Sequence, residues 1–240
     1  MGRGPSIEGR KNAEDAKRGK IFTKLIREIT IAARDGGDPA TNARLRLGID
    51  KALSANMTKD TIERAVKRGS GADGADNMEE LRYEGYGPGG VALIIDAMTD
   101  NSVRTVADVR HALSKHGGNL GTSGSVAFQF SRVGELVFET ATAELEEKVL
   151  EVALEAGADD MIGASGRSTV LCAPESFESI KAALIAAGFV PIIDAVVMRP
   201  ANRIAVEGDT AEALMDMLEW LDDLDDVQEV YHNANLPESA

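Results

Sequence analysis

Four cationic side chains near the start of the chain share one chemistry and a regular spacing. Lys17, Lys20, Lys24 and Arg27 follow one another at intervals of three, four and three residues. On an α-helix these intervals place the side chains along one side, so the four would form a continuous positive row. Lys and Arg replace the counterions condensed on phosphates, and Arg also donates bidentate hydrogen bonds. The row therefore indicates binding of a polyanion such as nucleic acid.

The charge distribution decides between that interpretation and a solvated helix face, which is what a row of Lys and Arg usually is. Residues 1–70 hold 16 Lys and Arg against 9 Asp and Glu, a net charge of +7. The remaining residues carry −21, so that the whole chain has a formal charge of −14. A basic module within an acidic chain is typical of nucleic-acid binding. The acidic part would repel nucleic acid, so we expect contact to be confined to the front end.

Three helices are predicted to carry these cations. The first runs from about Asn12 to Arg34, where an apolar side that includes Phe22 and Ile29 leaves the basic row on the solvent side. A second helix follows Asp38-Pro39 and a third begins near Asp60, each with its own outward cations. The predicted nucleic-acid-binding residues are Lys17, Arg18, Lys20, Lys24, Arg27, Arg44, Arg46, Lys51, Arg64, Lys67 and Arg68.

Beyond a Gly- and Asp-rich linker at 69–77, strand and helix patterns alternate. Residues 134–198 are predicted to form β-α-β-β-α-β, the ferredoxin-like split motif. The flanking β-α-β segments, 91–132 and 203–232, would together form a second such motif that the first interrupts. The predicted fold class is α+β, with a helical N-terminal domain followed by two ferredoxin-like α/β domains, one inserted in the other. The predicted domains are 1–77, the discontinuous 78–132 plus 203–240, and the inserted 133–202.

Catalytic and metal-binding patterns find little support in the sequence. Gly85–Gly90 matches G-x-G-x-x-G by letter, but a strand rather than a helix is predicted after it, which indicates a turn. His111, His116 and His232 are scattered, and Cys172 in an apolar strand is typical of an inert core thiol. We therefore predict no catalytic residue, no metal site and no cofactor, and interpret the protein as not an enzyme.

The remaining acidic and apolar patterns concern partners and location. The run Asp222-Asp223-Leu-Asp225-Asp226 lacks calcium-loop spacing and is predicted to be a solvated helix end. Arg104 and Lys115 offer at most a minor accessory surface. No apolar run approaches the ~18 residues of a membrane span, and the single cysteine suits a reducing cytosol, so a cytoplasmic location is expected.

Four long segments resemble one protein family. They are KNAEDAKRGKIFTKLIREI, NARLRLGIDKALSANMTKDTIERAVKRG, YEGYGPGGVALIIDAMTDNSVRTVADVRHALSKHGGNLGTSGSVAFQF and LDDLDDVQEVYHN. With these segments the chain resembles the YebC/PmpR family of transcriptional regulatory proteins, whose mitochondrial relatives are translational activators. The resemblance implies three domains, the first one helical, and a cytoplasmic DNA-binding regulator. It also implies that some members act on translating ribosomes, particularly at proline-rich stretches.

Two functions therefore remain open on the sequence alone. The first is a DNA-binding transcriptional regulator that binds through the basic helical domain. The alternative is a ribosome- or RNA-associated translation factor, for which phosphate contacts along a basic helix suffice. The acidic domains are expected to bind protein partners or to set geometry, and no membrane partner is expected.

Overall fold

The computed structural model describes residues 7–72 and 77–237, of which residues 7–13 are described by their backbone alone. The helices are α1 Ile7–Ala32, α2 Ala43–Ser54, α3 Lys59–Gly69, α4 Ser102–Lys115, α5 Ala143–Glu155, α6 Phe177–Ala186 and α7 Gly208–Asp223. The strands are β1 Glu79–Tyr86, β2 Ala92–Thr99, β3 Asn119–Leu120, β4 Phe130–Glu139, β5 Asp160–Ala164, β6 Arg167–Cys172, β7 Ile193–Pro200, β8 Ile204–Ala205, β9 Val227–His232 and β10 Ala234–Asn235. This mixture of N-terminal helices and antiparallel sheets confirms the predicted α+β class.

The chain divides into two compact units. The discontinuous unit comprises the described parts of Met1–Ser125, Ala205–Val230 and Leu236–Ala240. The inserted unit comprises Val126–Ile204 and Tyr231–Asn235. The helical segment, which the sequence suggested as a domain of its own, lies within the discontinuous unit.

Local capping and close packing define the three N-terminal helices. The side chain of Asn42 accepts a hydrogen bond from Leu45 N (3.0 Å), which begins α2, and donates to the carbonyl oxygens of Ala32 (2.7 Å) and Gly36 (2.8 Å). One buried amide therefore joins the end of α1 to the start of α2. The buried core of this module consists of Ile29, Ala32, Ala33, Leu45, Ala52, Met57, Ile62 and Ala65.

Gly69, the first residue of the predicted linker, belongs to α3 and lies at a close contact with α1. It is the last residue of α3 and is buried, and a Cβ there would lie 2.0 Å from the carbonyl oxygen of Thr30 in α1. Glycine at this position indicates close approach of two helix backbones rather than a flexible connection. Residues 73–76 of the predicted linker lie outside the described residues.

The sheet of the discontinuous unit has the strand order β3-β1-β2-β9. This differs from the second ferredoxin-like arrangement expected from 91–132 and 203–232, for two reasons. Strand β1, which the sequence analysis missed, pairs with β2 from Glu79↔Thr99 to Tyr86↔Ala92. The first strand expected in the segment 203–232 is limited to Ile204–Ala205, which pairs with β10. The turn predicted at Gly85–Gly90 is confirmed, since β1 passes through Pro88–Gly90 directly into β2.

The inserted unit confirms the ferredoxin-like prediction for its own segment. Its strand order is β5-β6-β4-β7, and the pairs β4–β6, β4–β7 and β5–β6 are all antiparallel. Helices α5 and α6 contribute Val149, Ala153, Ile180 and Leu184 to a buried core with Leu136 and other sheet residues. The segments 91–132 and 134–198 meet in one continuous strand, because β4 runs from Phe130 to Glu139 and Gly134 is part of its ladder.

Candidate nucleic-acid interface

The predicted basic row on α1 does not lie on open solvent. Lys20 donates a hydrogen bond to Asp223, and Lys24 Nζ lies 2.5 Å from Asp222 Oδ1. Arg27 Nη1 lies 2.7 Å from Asp226 Oδ1 and 2.6 Å from the carbonyl oxygen of Met98. The side chain of Lys24 is 21 % exposed and that of Arg27 only 16 %. The expectation of a solvent-facing row is therefore wrong for these two residues.

The acidic partners gather where α7 ends. Asp222 and Asp223 close the helix, Leu224 follows as its cap residue, and β9 begins at Val227. The C-terminus of a helix carries a partial negative charge, so carboxylates there are unfavourable and cations are favourable. The last turn of α7 has no basic residue of its own. Lys20 and Lys24 of α1 supply positive charge at this helix end instead.

Asp226 is the inner end of this contact, and the prediction of a solvated acidic run is wrong for it. Its side chain is 7 % exposed. Besides Arg27, it accepts hydrogen bonds from Arg104 (Nε 3.0 Å, Nη2 2.9 Å) and from Thr105 Oγ1 (2.8 Å). Burial acts to raise the pKa of Asp226, but the bonds from Arg104, Arg27 and Thr105 outweigh it, and the pKa is lowered. Asp226 is therefore a charged structural anchor that joins α1, α4 and the start of β9.

An open cleft of about 550 Å³ surrounds this anchor. The cationic lining residues are Arg27 and Arg104, and the acidic ones are Asp100, Asp108, Asp223, Asp225 and Asp226. Because carboxylates outnumber cations and both arginines are already bonded to Asp226, the cleft is poorly suited to a phosphate group.

A second set of the predicted site residues lies outward on α2 and α3. Lys51, Lys67 and Arg68 are exposed, and among the described residues no carboxylate forms an ion pair with them. Arg64 forms an ion pair with Asp60 on its own helix (2.9 Å), and both side chains are well exposed. On α3, Arg64 lies three and four residues before Lys67 and Arg68, so the three share one side.

The remaining predicted residues differ in their surroundings. Lys17 and Arg18 are exposed on α1, where Arg18 makes a 3.5 Å contact with Asp15. Arg46 is exposed and donates to the carbonyl oxygen of Pro39 (2.9 Å). Arg44 is held between Glu28 (2.8 Å) and Glu80 (2.9 Å), which ties α1 and α2 to β1. Hydrogen bonds from Arg44 to Glu80 and Glu28 raise its pKa against the opposing effect of burial, as expected for a structural ion pair.

Two of the three histidines, which the sequence did not favour as metal ligands, pack against an aromatic ring. His111 and His116 both pack edge-on against Trp220, with ring centroids 5.8 Å and 5.5 Å away. Lys115 Nζ lies over the same ring at 4.7 Å. In the part of the chain that the structure describes, no group of three or more His, Cys, Asp or Glu could hold a metal ion.

Comparison with known proteins gives this geometry a family context. Residues 4–72 match the TACO1/YebC protein N-terminal domain, and residues 78–234 match the TACO1/YebC second and third domain. The chain belongs to the TACO1/YebC family. The family resemblance inferred from the sequence segments is thereby confirmed.

Several TACO1/YebC relatives are similar over their full length. A probable transcriptional regulatory protein of Xanthomonas campestris pv. campestris (strain B100) is 58 % identical and is covered over 98 % of both chains. One of Stenotrophomonas maltophilia (strain R551-3) is 57 % identical over 100 % of this chain and 99 % of the relative. A crystal structure of a conserved hypothetical protein from Aquifex aeolicus superposes with a TM-score of 0.82 at 41 % identity, covering 94 % and 93 % of the two chains.

These names support a regulatory rather than a catalytic role for the family member described here. No helix among residues 7–72 and 77–237 combines the length and the apolar character that crossing a membrane requires.

Proposed function

We propose that this protein is a transcriptional regulator that binds DNA through its N-terminal helical module, residues 7–72, and that it acts in the cytoplasm. The observation that carries the proposal is the outward cationic side of α3, formed by Arg64, Lys67 and Arg68. The names of the full-length relatives support the transcriptional role.

The electrostatics of α3 suit a phosphate backbone. Lys67 and Arg68 have no acidic partner among the described residues, whereas the cations of α1 nearest the sheet are paired with carboxylates. Unpaired Lys and Arg gain most from phosphate contacts, because no internal ion pair must be broken first. Both residues lie in the last turn of α3, where cations also stabilise the helix.

The connection between α2 and α3 is also compatible with DNA binding. Four residues, 55–58, join the two helices, and Thr58 caps α3 by accepting a hydrogen bond from Thr61 N (3.4 Å). A connection of this length is common in helix-turn-helix pairs. Exposed Arg46 and Lys51 on α2 add positive charge to the same module.

A salt titration of DNA binding tests the proposal. In the variant Arg64→Gln/Lys67→Gln/Arg68→Gln, each lost phosphate contact should flatten the plot of log K against log salt by about 0.9, up to about 2.7 in all. The matched control is Arg110→Gln/Arg132→Gln/Lys148→Gln, which removes the same charge from exposed positions elsewhere. Lys148 has an i,i+4 partner, Glu144, as Arg64 has Asp60.

The expected result is weak binding and a flattened slope in the α3 variant only, with unchanged helix content by circular dichroism. Equal binding by the wild type, the α3 variant and the control would refute the assignment to α3. Crosslinking in cells adds a second readout, because recovery of ribosomal RNA rather than promoter DNA would favour a translation factor instead.

A further inference from the structure

The ion pairs between α1 and the end of α7 form a matched ladder. Lys20, Lys24 and Arg27 are spaced four and three residues apart on one side of α1, and each meets its own carboxylate, from Asp223, Asp222 and Asp226. A backbone contact reinforces the ladder, since Gln228 Nε2 donates to the carbonyl oxygen of Lys24 (2.9 Å). Carboxylate and phosphate oxygens accept the same charge-assisted hydrogen bonds from Lys and Arg.

The ladder has an inner and an outer part that differ in burial. The inner pair Arg27–Asp226 is largely buried and shares Asp226 with Arg104 and Thr105. In the outer pairs the lysine side is partly covered, but Asp222 is 73 % and Asp223 58 % exposed. Exposed ion pairs contribute little to stability and are screened by salt, so the outer pairs can open while the inner anchor holds.

We propose that Lys20 and Lys24 form a latent phosphate-binding site that the chain's own Asp222 and Asp223 occupy in the absence of nucleic acid. This inference rests on the proposed function, because it concerns access of a nucleic-acid backbone to the same module. Lys17 is exposed three residues before Lys20. Opening the two outer pairs therefore makes Lys17, Lys20 and Lys24 one continuous row for phosphates.

The internal carboxylates act as competitors that set how strongly the module binds a polyanion. Each must be displaced before its lysine contacts a phosphate. The hydrogen bond that Lys20 donates to Asp223 raises the pKa of Lys20 and so favours the charged, closed pair. Removing the carboxylates should therefore strengthen binding and steepen its salt dependence rather than weaken it.

Neutralising the competitors tests the latent site in the full-length protein. In Asp222→Asn/Asp223→Asn the salt slope for a short DNA duplex should steepen by up to about 1.8, for two added phosphate contacts. Lowering the salt from about 200 mM to about 50 mM should then strengthen binding about twelve-fold more than in the wild type. The matched control is Glu212→Gln/Asp216→Asn, which removes the same charge from exposed positions on α7.

A double-mutant cycle separates the latent site from a general charge effect. In a Lys20→Gln/Lys24→Gln background, the changes Asp222→Asn/Asp223→Asn should give no gain over that background, because the two lysines are the groups released. Persistence of the gain without these lysines would overturn the proposal, as would an equal gain in the Glu212→Gln/Asp216→Asn control. Circular dichroism on every variant confirms that the fold is retained.

A second polyanion distinguishes failure of this inference from failure of the proposed function. Elution of Asp222→Asn/Asp223→Asn from immobilised heparin should shift to higher salt than elution of the wild type. If this shift is seen but neither protein binds a DNA duplex, the DNA assignment fails and the latent site stands. If DNA binding depends on Arg64, Lys67 and Arg68 but Asp222→Asn/Asp223→Asn matches its control with both polyanions, the latent site is wrong and the proposed function stands.

Discussion

At Asp226, donors from two helices converge on one buried carboxylate. Arg27 comes from α1, whereas Arg104 and Thr105 come from α4, so the charge of Asp226 holds segments together that lie far apart in the sequence. Hydrogen bonds to charged groups contribute more than neutral ones, and a buried cation left without its partner is costly. Asp226 is therefore the residue through which the ion-pair ladder stabilises the fold.

Changing Asp226 to Asn should lower the free energy of unfolding by about 2 kcal/mol at neutral pH, since it removes the charge from hydrogen bonds to two arginines. The folded-state pKa of Asp226 lies below its ordinary value of 3.8. The stability from this group is therefore present above that value and is lost as the pH falls through the folded pKa. Urea unfolding at neutral pH and near pH 3 should show the wild-type advantage shrinking in acid.

The exposed neighbour Asp222 provides the control for this prediction. Asp222→Asn should change the free energy of unfolding by no more than about 0.5 kcal/mol at neutral pH. An Asp226→Asn variant as stable as Asp222→Asn would show that the convergence of donors on Asp226 does not stabilise the fold.

At the scale of elements, the backbones of α1 and α3 approach each other closely at Gly69. Gly69 packs against the carbonyl group of Thr30, and a Cβ would also lie 2.9 Å from Ala33 Cβ. Gly19 in the middle of α1 has nothing within 4 Å of the position a Cβ would occupy. The same substitution should therefore have opposite effects at the two glycines.

Gly69→Ala should lower the free energy of unfolding by about 1–3 kcal/mol, because the contacted atoms are backbone and cannot move aside cheaply. Gly19→Ala should raise it by about 0.5–1 kcal/mol through better helix propensity. Urea denaturation of both variants measures the difference. Stabilisation by Ala at both positions would mean that α1 and α3 do not approach as closely as the structure shows.

At the scale of the whole molecule, each compact unit contains a single natural reporter. The chain has one tryptophan and one cysteine. Trp220 lies on α7 of the discontinuous unit, and Cys172 is buried on β6 of the inserted unit, where burial raises the pKa of its thiol. Fluorescence and thiol labelling can therefore follow the two units separately.

A variant that weakens the discontinuous unit should affect the two reporters unequally. In Asp226→Asn the urea midpoint from Trp220 fluorescence should fall further than the midpoint for labelling of Cys172, because packing is concentrated within each unit. Coincident midpoints that shift by the same amount would instead show that the chain unfolds as one cooperative body.

Local patterns in the sequence determined much of the fold. The helical periods of α1, α2 and α3 and the β-α-β-β-α-β order of residues 134–198 were readable because each depends on residues near one another in the chain. Strand β1 was missed, although Glu80, Arg82 and Glu84 alternate with Leu81 and Tyr83 as they would in a strand with one polar face. Their partners lie elsewhere, as Arg44 does for Glu80 and Asp96 for Arg82.

The sequence by itself determined that a basic module precedes an acidic remainder and that α1 carries cations on one side. Only the tertiary structure decided which of those cations are exposed. Lys20 and Lys24 meet carboxylates 203 and 198 residues away, and no local period records such a contact. A charged helix face is satisfied equally well by water or by carboxylates of the same chain, so sequence spacing identifies the face but not its occupant.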